Sequence, residues 1–343
     1  MEKFSYGTLS DGRAVTAFRI TNANGCSAVV LDYGCTLVSL TMPDRDGKLV
    51  DVVLGYDTAK EYEENGGFFG ACIGRVCNRI GKATFTLDGV TYPLVASEGK
   101  NQLHGGTKGF DRCFFTAEKS VDKLVFTRLS PDGEEGFPGN LKVKIQIELT
   151  DNNELVFTYE ADTDKPTPVS MTNHAYYNLA GEGTMLDHEL KIYASQFTVV
   201  DPESIPTGEI APVTGTPLDF TAGKVIGDDI GADMEQMKLV GGFDHNFVLD
   251  STDDWKLAAE AYCPRTGIAV SVQTTAPDMQ FYSGNFISAK VGKNGTPLDV
   301  RYGFCLETQL PPDAVNQPSF PNPFIRPGQH YFSKTAYTFT VRS

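Results

Sequence analysis

The sequence predicts an all-β protein, a large antiparallel β-sandwich with few short helices, on three observations. Polar and apolar residues alternate with period two in the most ordered runs, Gly- and Asn-bearing turns separate those runs, and no strand–helix rhythm appears. Residues 27–42 (SAVVLDYGCTLVSLTM), 141–149 (LKVKIQIEL) and 154–160 (ELVFTYE) are rich in β-branched and aromatic side chains. Asp46-Gly47 and Asp88-Gly89 lie between strand-like runs, where glycine accepts positive φ and closes a hairpin, and Asp151-Asn152-Asn153 joins two more. Further strands are expected at 190–200, 256–263, 268–275, 280–282, 301–307 and 335–341. Helical signals are confined to a short turn starting at 62–64 and a glycine-interrupted stretch at 226–237. Residues 311–327, rich in proline, read as an ordered loop.

The chain has 343 residues, enough to bury a large core without disulfide or metal, and nothing in it resembles a linker. One domain spanning 1–343 is therefore expected. Asp and Glu number 44 against 29 Lys and Arg, a formal net charge of −15. Such a chain repels polyphosphates and anionic lipid, which argues against nucleic-acid and membrane partners. Seven cysteines occur without any C-x-x-C, so no zinc ribbon or thioredoxin-type site is indicated. The first residues carry no apolar signal core, and a reduced, cytoplasmic protein is expected.

Phosphate cradles are missing: no G-x-G-x-x-G follows a strand, and no P-loop motif exists. Neither a G-x-S-x-G elbow nor H-E-x-x-H appears, and the five histidines show no close metal-ligand spacing. Any chemistry must come from side chains, with no cofactor and no metal expected.

Several polar residues are set into apolar runs. His174 lies in MTNHAYYNLAG with Asn173, Tyr176, Tyr177 and Asn178; each polar group there needs a partner if buried. A satisfied core histidine is one reading, and a site where rings stack on sugar C–H faces is the other. Glu307 stands alone in YGFCLETQLP, where desolvation would raise its pKa into the range of a base, or a buried arginine would pair it. Asn78-Arg79 offers an amide and a fork of donors suited to hydroxyl oxygens, or a surface salt bridge. His104 begins His104-Gly105-Gly106, which opens like an esterase oxyanion loop but equally suits a glycine turn presenting the ring to a cleft. Asp244 in GGFDHNFVL and Gln280 in PDMQFY follow the same pattern. Together these insertions suggest a polyhydroxylated ligand.

Taken in order, GRVCNRIG (74–81), FTLDGVTYPL (85–94), NQLHGGTKGFD (101–111), TNHAYYNLAG (172–181), GGFDHNFVL (241–249), PDMQFYSGNF (277–286) and LETQLPPDAVNQPSFP (306–321) resemble the aldose 1-epimerase (galactose mutarotase) family. The resemblance implies a large antiparallel β-sandwich, no cofactor, and interconversion of the α and β anomers of a free aldose. It implies Glu307 as general base and His174 as general acid. It further implies sugar contacts from Asn78, Arg79, His104, Asp244 and Gln280, with Tyr176 beside His174. Ala175 and Tyr177 would tune which sugars fit.

Ring opening takes a proton from the C1 hydroxyl and delivers one to the ring oxygen, so an acid and a base are expected to face each other across the sugar. Glu307 is expected to be ionised with its pKa slightly raised, and His174 protonated near neutrality. The implied partner is a small-molecule sugar, with the chain a monomer or weak dimer. Alternatives are a hexose-phosphate epimerase on the same fold, for which Arg75, Lys108 and Arg112 are the further cations, and a non-catalytic carbohydrate-binding protein.

Overall fold

The computed structural model describes residues 2–120 and 123–342. Three antiparallel sheets dominate. A five-stranded meander runs through Glu2–Thr8, Ala14–Thr21, Ser27–Leu31, Leu37–Pro43 and Leu49–Asp51. A nine-stranded sheet has Leu141–Leu149, Glu154–Thr163, His330–Val341, Ile268–Thr274 and Lys256–Tyr262 side by side at its centre. A second five-stranded sheet orders Pro206–Pro212, Gln196–Val200, Asp244–Val248, Asp278–Tyr282 and Cys305–Gln309.

The alternation predicted for 141–149 is realised: Leu141, Val143, Ile145, Ile147 and Leu149 are buried, while Lys142, Lys144, Gln146 and Glu148 face outward. These inward side chains meet Phe18, Val30 and Leu40 of the first sheet and Phe197, Phe247 and Phe281 of the third in one continuous core. Burying each such side chain contributes roughly 1.5–3 kcal/mol. Sheet packing over a shared apolar core makes the sandwich.

The turns follow their chemistry. Asp88 (φ 51°) and Gly89 (φ 78°) link Thr84–Leu87 to Val90–Pro93, both in the left-handed region that a two-residue hairpin requires. Five expectations need correction. Residues 27–42 form two strands, because Gly34 (φ 69°) and Cys35 (φ 45°) turn the chain between them. Residues 190–200 divide between two sheets, Glu189–Ile192 and Gln196–Val200, where Tyr193 and Ser195 bond to Ala258 and Asp250. The strand expected at 301–307 starts only at Cys305, after Arg301 in the left-handed region (φ 68°).

The first helix, Ala59–Glu64, ends where a start was expected; Thr58 and Glu61 form a reciprocal capping box at its true beginning. In 226–237 only Ile226–Asp228 turns as a 3₁₀ segment before the helix Glu235–Val240, which Gly241 (φ 68°) terminates.

Phe157 is fully buried at the centre of the core, its ring edge-on to Tyr337. Phe157→Ala should lower unfolding free energy by about 3–5 kcal/mol. A urea titration measures this, and a loss under ~1 kcal/mol would show that the core closes around the deletion.

Candidate active site

Three neighbouring strands of the third sheet build the floor of a cleft of about 290 Å³. Their register pairs Asp244 with Tyr282, Asn246 with Gln280, Gln280 with Glu307 and Tyr282 with Cys305. Opposed residues share a face, and so do residues two apart. Asp244, Gln280, Tyr282, Cys305 and Glu307 thus lie on one face, while Phe247, Met279, Phe281 and Leu306 enter the core from the other. His245 faces that core, edge-on to Phe197, although it adjoins Asp244 in sequence.

The cleft walls come from loops anchored on short strands. His174 follows Thr172–Asn173, which pairs with Cys72–Ile73. Its N–H donates to Ala71 O at 2.8 Å, and its carbonyl accepts from Gly70 N at 2.9 Å. Asn173 fastens this loop by donating Nδ2 to Gly70 O and accepting Ala175 N–H. Tyr176 stacks on the His174 ring at 5.0 Å, and Phe68 flanks both imidazoles. Ala175 and Tyr177, expected to tune sugar fit, instead pack in the central core, Tyr177 against Tyr337 at 5.2 Å.

His104 and Asn78 both have left-handed backbones (φ 52° and 60°) and clasp one another. His104 N–H donates to Asn78 O at 3.0 Å, and Asn78 N–H donates to His104 Nδ1 at 3.1 Å. Gly105 is required next: a Cβ there would lie 2.0 Å from Gly74 O. The His-Gly-Gly sequence is therefore a turn presenting an imidazole, the second of its two readings. Arg79 reaches the cleft between two carboxylates. It donates to both oxygens of Glu98 at 2.7 and 3.0 Å, and its Nη1 lies 3.9 Å from Asp244 Oδ2.

Seven of the eight expected residues line the cleft: Asn78, Arg79, His104, His174, Tyr176, Asp244 and Glu307. Gln280, on the floor face but outside the cleft lining, donates Nε2 to Asp244 Oδ1 at 2.7 Å. Further lining or floor residues that escaped sequence reasoning include Phe68, Glu98, Tyr282, Phe286 and Cys305. Period-two spacing from Gln280 and Glu307 could have found Tyr282 and Cys305.

At the floor, His174 Nε2 and Glu307 Oε1 are 3.7 Å apart, both groups buried. Glu307 Oε2 has no hydrogen-bond partner among the described residues. Burial, and then the neighbouring Asp244, push the Glu307 carboxyl well above the carboxylate range, with Arg79 opposing. Burial pulls His174 down to about 4. His104 is held well below the ordinary imidazole range by burial, then by His174 and Arg79. Both shifts run against the ionised Glu307 and protonated His174 expected from sequence and favour the neutral form of each group. The expected arrangement across a sugar is corrected, because the two groups stand side by side.

His104, His174 and Glu307 offer donor atoms all within 4.8 Å of one another, a spacing a metal ion could use, with His104 contributing only Nε2. A second such group, Asp187, His188 and Cys263, is committed to the fold. His188 Nε2 accepts Leu179 N–H at 3.0 Å and Nδ1 faces Asp187 at 3.1 Å. Among the described residues no helix is long and apolar enough to cross a membrane.

The sequence model of a family described as Aldose 1-epimerase matches residues 16–338. The galactose mutarotase of Bos taurus is 45% identical over 315 residues, covering 91% of this chain and 90% of that protein. The aldose 1-epimerase of Escherichia coli (strain K12) is 40% identical over 334 residues, 96% of each chain. Among solved structures, an aldose epimerase homologue from C. elegans superimposes with a TM-score of 0.90 at 32% identity. That match covers 96% of this chain and all of the other. A galactose 1-epimerase from Lactobacillus acidophilus NCFM gives 0.87 at 27% identity, covering 100% and 99% of the two chains. With the same motifs converging on one cleft of the same β-sandwich, the chain belongs to the aldose 1-epimerase family.

Proposed function

We propose that this isomerase interconverts the α and β anomers of free aldohexoses such as D-galactose and D-glucose, with Glu307 and His174 as its proton-transfer pair. The observation that carries this reading is the buried carboxyl–imidazole pair, 3.7 Å apart, with one carboxyl oxygen lacking a protein partner. A buried polar atom left without a partner costs free energy that a substrate hydroxyl can recover.

The side-by-side placement suits the chemistry, because the C1 hydroxyl and the ring oxygen are bonded to the same carbon. Glu307 carboxylate takes the C1 hydroxyl proton as the bond from C1 to the ring oxygen breaks, and His174 imidazolium protonates the departing oxygen. The open aldehyde turns about C1–C2 and closes on its other face with both transfers reversed. His104 would donate Nε2–H to sugar oxygen, Arg79 would donate from its fork, and Asp244, held by Gln280, would accept a hydroxyl. Asn78 holds His104 and Tyr176 supports the His174 ring.

Carboxylate with imidazolium and carboxylic acid with neutral imidazole contain the same number of protons. Burial favours the second distribution, which is also the one left after ring opening. The resting pair and the open-chain intermediate therefore share a proton arrangement, and the pair titrates as a unit.

A neutral hexose is favoured over a phosphosugar. Arg79 is already engaged by Glu98 and Asp244, and Arg75 is buried, donating to Ser130, Pro138, Gly139 and Thr167. Arg112 donates to Glu63 O on the exposed surface, and Lys108 is exposed outside the cleft. Seven free cysteines suit a reducing, cytoplasmic setting, and a sugar substrate asks for nothing beyond a monomer or weak dimer.

Freshly dissolved α-D-galactose or α-D-glucose should relax faster to its unchanged final rotation when the protein is added; an unaltered rate with folded protein would sink the reading. Glu307→Gln should lower kcat by about 10²–10⁴-fold while calorimetry still detects sugar binding. For pH, the active pair carries one proton. A second adds to His174 below about pH 4, and the last leaves Glu307 well above the usual carboxylate range. The kcat/KM profile should stay flat down to about pH 4 and then fall. An acidic limb near the ordinary imidazole range would mean that burial does not lower the His174 pKa.

A further inference from the structure

The two imidazoles of the cleft lie 5.0 Å apart, yet their inner nitrogens have partners of different kinds. His104 Nδ1 accepts the main-chain N–H of Asn78. An amide N–H can only donate, so Nδ1 must keep its lone pair and the single ring proton sits on Nε2. A second proton on this ring would set one N–H against another. His104 is thereby locked as a neutral donor.

His174 Nδ1 faces Cys305 Sγ at 3.5 Å, with both side chains buried. A thiol both donates and accepts. His174 delivers its proton from Nε2, so the neutral ring that remains carries Nδ1–H and the sulfur accepts it. Toward the imidazolium it turns the same lone pair to Nδ1–H. The ring need not rotate between the two states. A carboxylate in the same place would clamp the cation, and an amide would forbid it. Cys305 is held opposite Tyr282 in the sheet, two residues from Glu307 on the same face, so one strand supplies both the carboxyl and the support for the imidazole.

We propose that Cys305 is a positioning residue, its sulfur a hydrogen-bond acceptor for Nδ1–H that keeps His174 Nε2 turned toward Glu307 in both charge states of the ring. The proposal rests on the assignment of His174 and Glu307 as the proton-transfer pair. The other groups packed around His174 are Glu307 at Nε2, Tyr176 stacked on one face, Tyr282 and His104 edge-on, and the apolar ring of Phe68.

The test uses the full chain, as wild type, Cys305→Ala and Cys305→Ser, with mutarotation kinetics against pH and ¹⁵N NMR of labelled histidine. Five histidines make the ring-nitrogen signals assignable by single substitutions. Wild-type His174 should be the Nδ1–H tautomer. In Cys305→Ala its nitrogens should shift toward a mixture of tautomers, and kcat should fall about tenfold, the scale of one lost hydrogen bond. KM should stay within about twofold, since no sugar contact is removed. Cys305→Ser, whose hydroxyl also donates and accepts, should restore the tautomer and bring kcat to within about threefold of wild type. His104 signals should not move in either variant.

An Nε2–H tautomer of His174 in the wild type overturns the proposal, even if Cys305→Ala fails to fold. So does a Cys305→Ala protein with wild-type kinetics, pH profile and His174 signals. A wild-type protein that leaves mutarotation unaccelerated would instead remove the proton-transfer reading, a failure separable from the tautomer result.

Discussion

The cleft is organised around one constraint, a carboxyl and an imidazole buried 3.7 Å apart, where burial disfavours the charged form of each. Ionising both in place would cost desolvation of two charges, which their attraction repays only with good additional hydrogen bonds. Those bonds are what a bound sugar can supply: a hydroxyl toward Glu307 Oε2, and oxygens toward the donors on the walls. The energetic gap between the two arrangements of a single proton is thus what the rest of the site must bridge. It must keep the pair dry, hold it in place and present donors at the right height.

The sheet supplies the holding. Strands buried on both faces usually read as continuous apolar runs, yet Asp278–Tyr282 and Cys305–Gln309 gather their polar groups on one face, with Thr308 alone on the other. The polar face is closed by aromatic rings. Phe68, Asn78 and His104 each adopt left-handed backbones, a conformation costing of order 1–3 kcal/mol for residues other than glycine. The reciprocal bonds between Asn78 and His104 offset part of that cost and determine which nitrogen of His104 carries the proton. Here backbone conformation decides protonation chemistry.

This division explains what could be read from the sequence. Glu307, His174, Asp244 and Arg79 were legible because each interrupts an apolar or aromatic run, and the alternation of 141–149 disclosed the sandwich. Glu98 and Phe68 were not, because they reach the cleft through loops whose paths depend on distant packing. The bent path at Gly34-Cys35 and the change of sheet at Tyr193–Ser195 were hidden for a related reason: strand propensity does not register where a strand leaves its sheet. The extent of the shifts was underestimated because local sequence shows a carboxylate and a histidine but not the Tyr176 and Phe68 rings that close over them.

Arg79 shows how the same logic reaches selectivity. A guanidinium free of partners in this cleft would attract anions and draw Glu307 toward ionisation, since its charge already opposes the rise in that carboxyl's pKa. Glu98 takes two of its N–H groups and Asp244 stands beside a third nitrogen, so the fork retains direction while much of its charge is balanced. A donor of that kind can recognise hydroxyl oxygen by geometry, without the pull on phosphate that net positive charge would create. The overall charge of −15 acts in the same direction. Glu98, distant from the proton-transfer pair in sequence and outside its bonding, therefore helps to preserve the shared proton by restraining the one cation lining the cleft among the described residues.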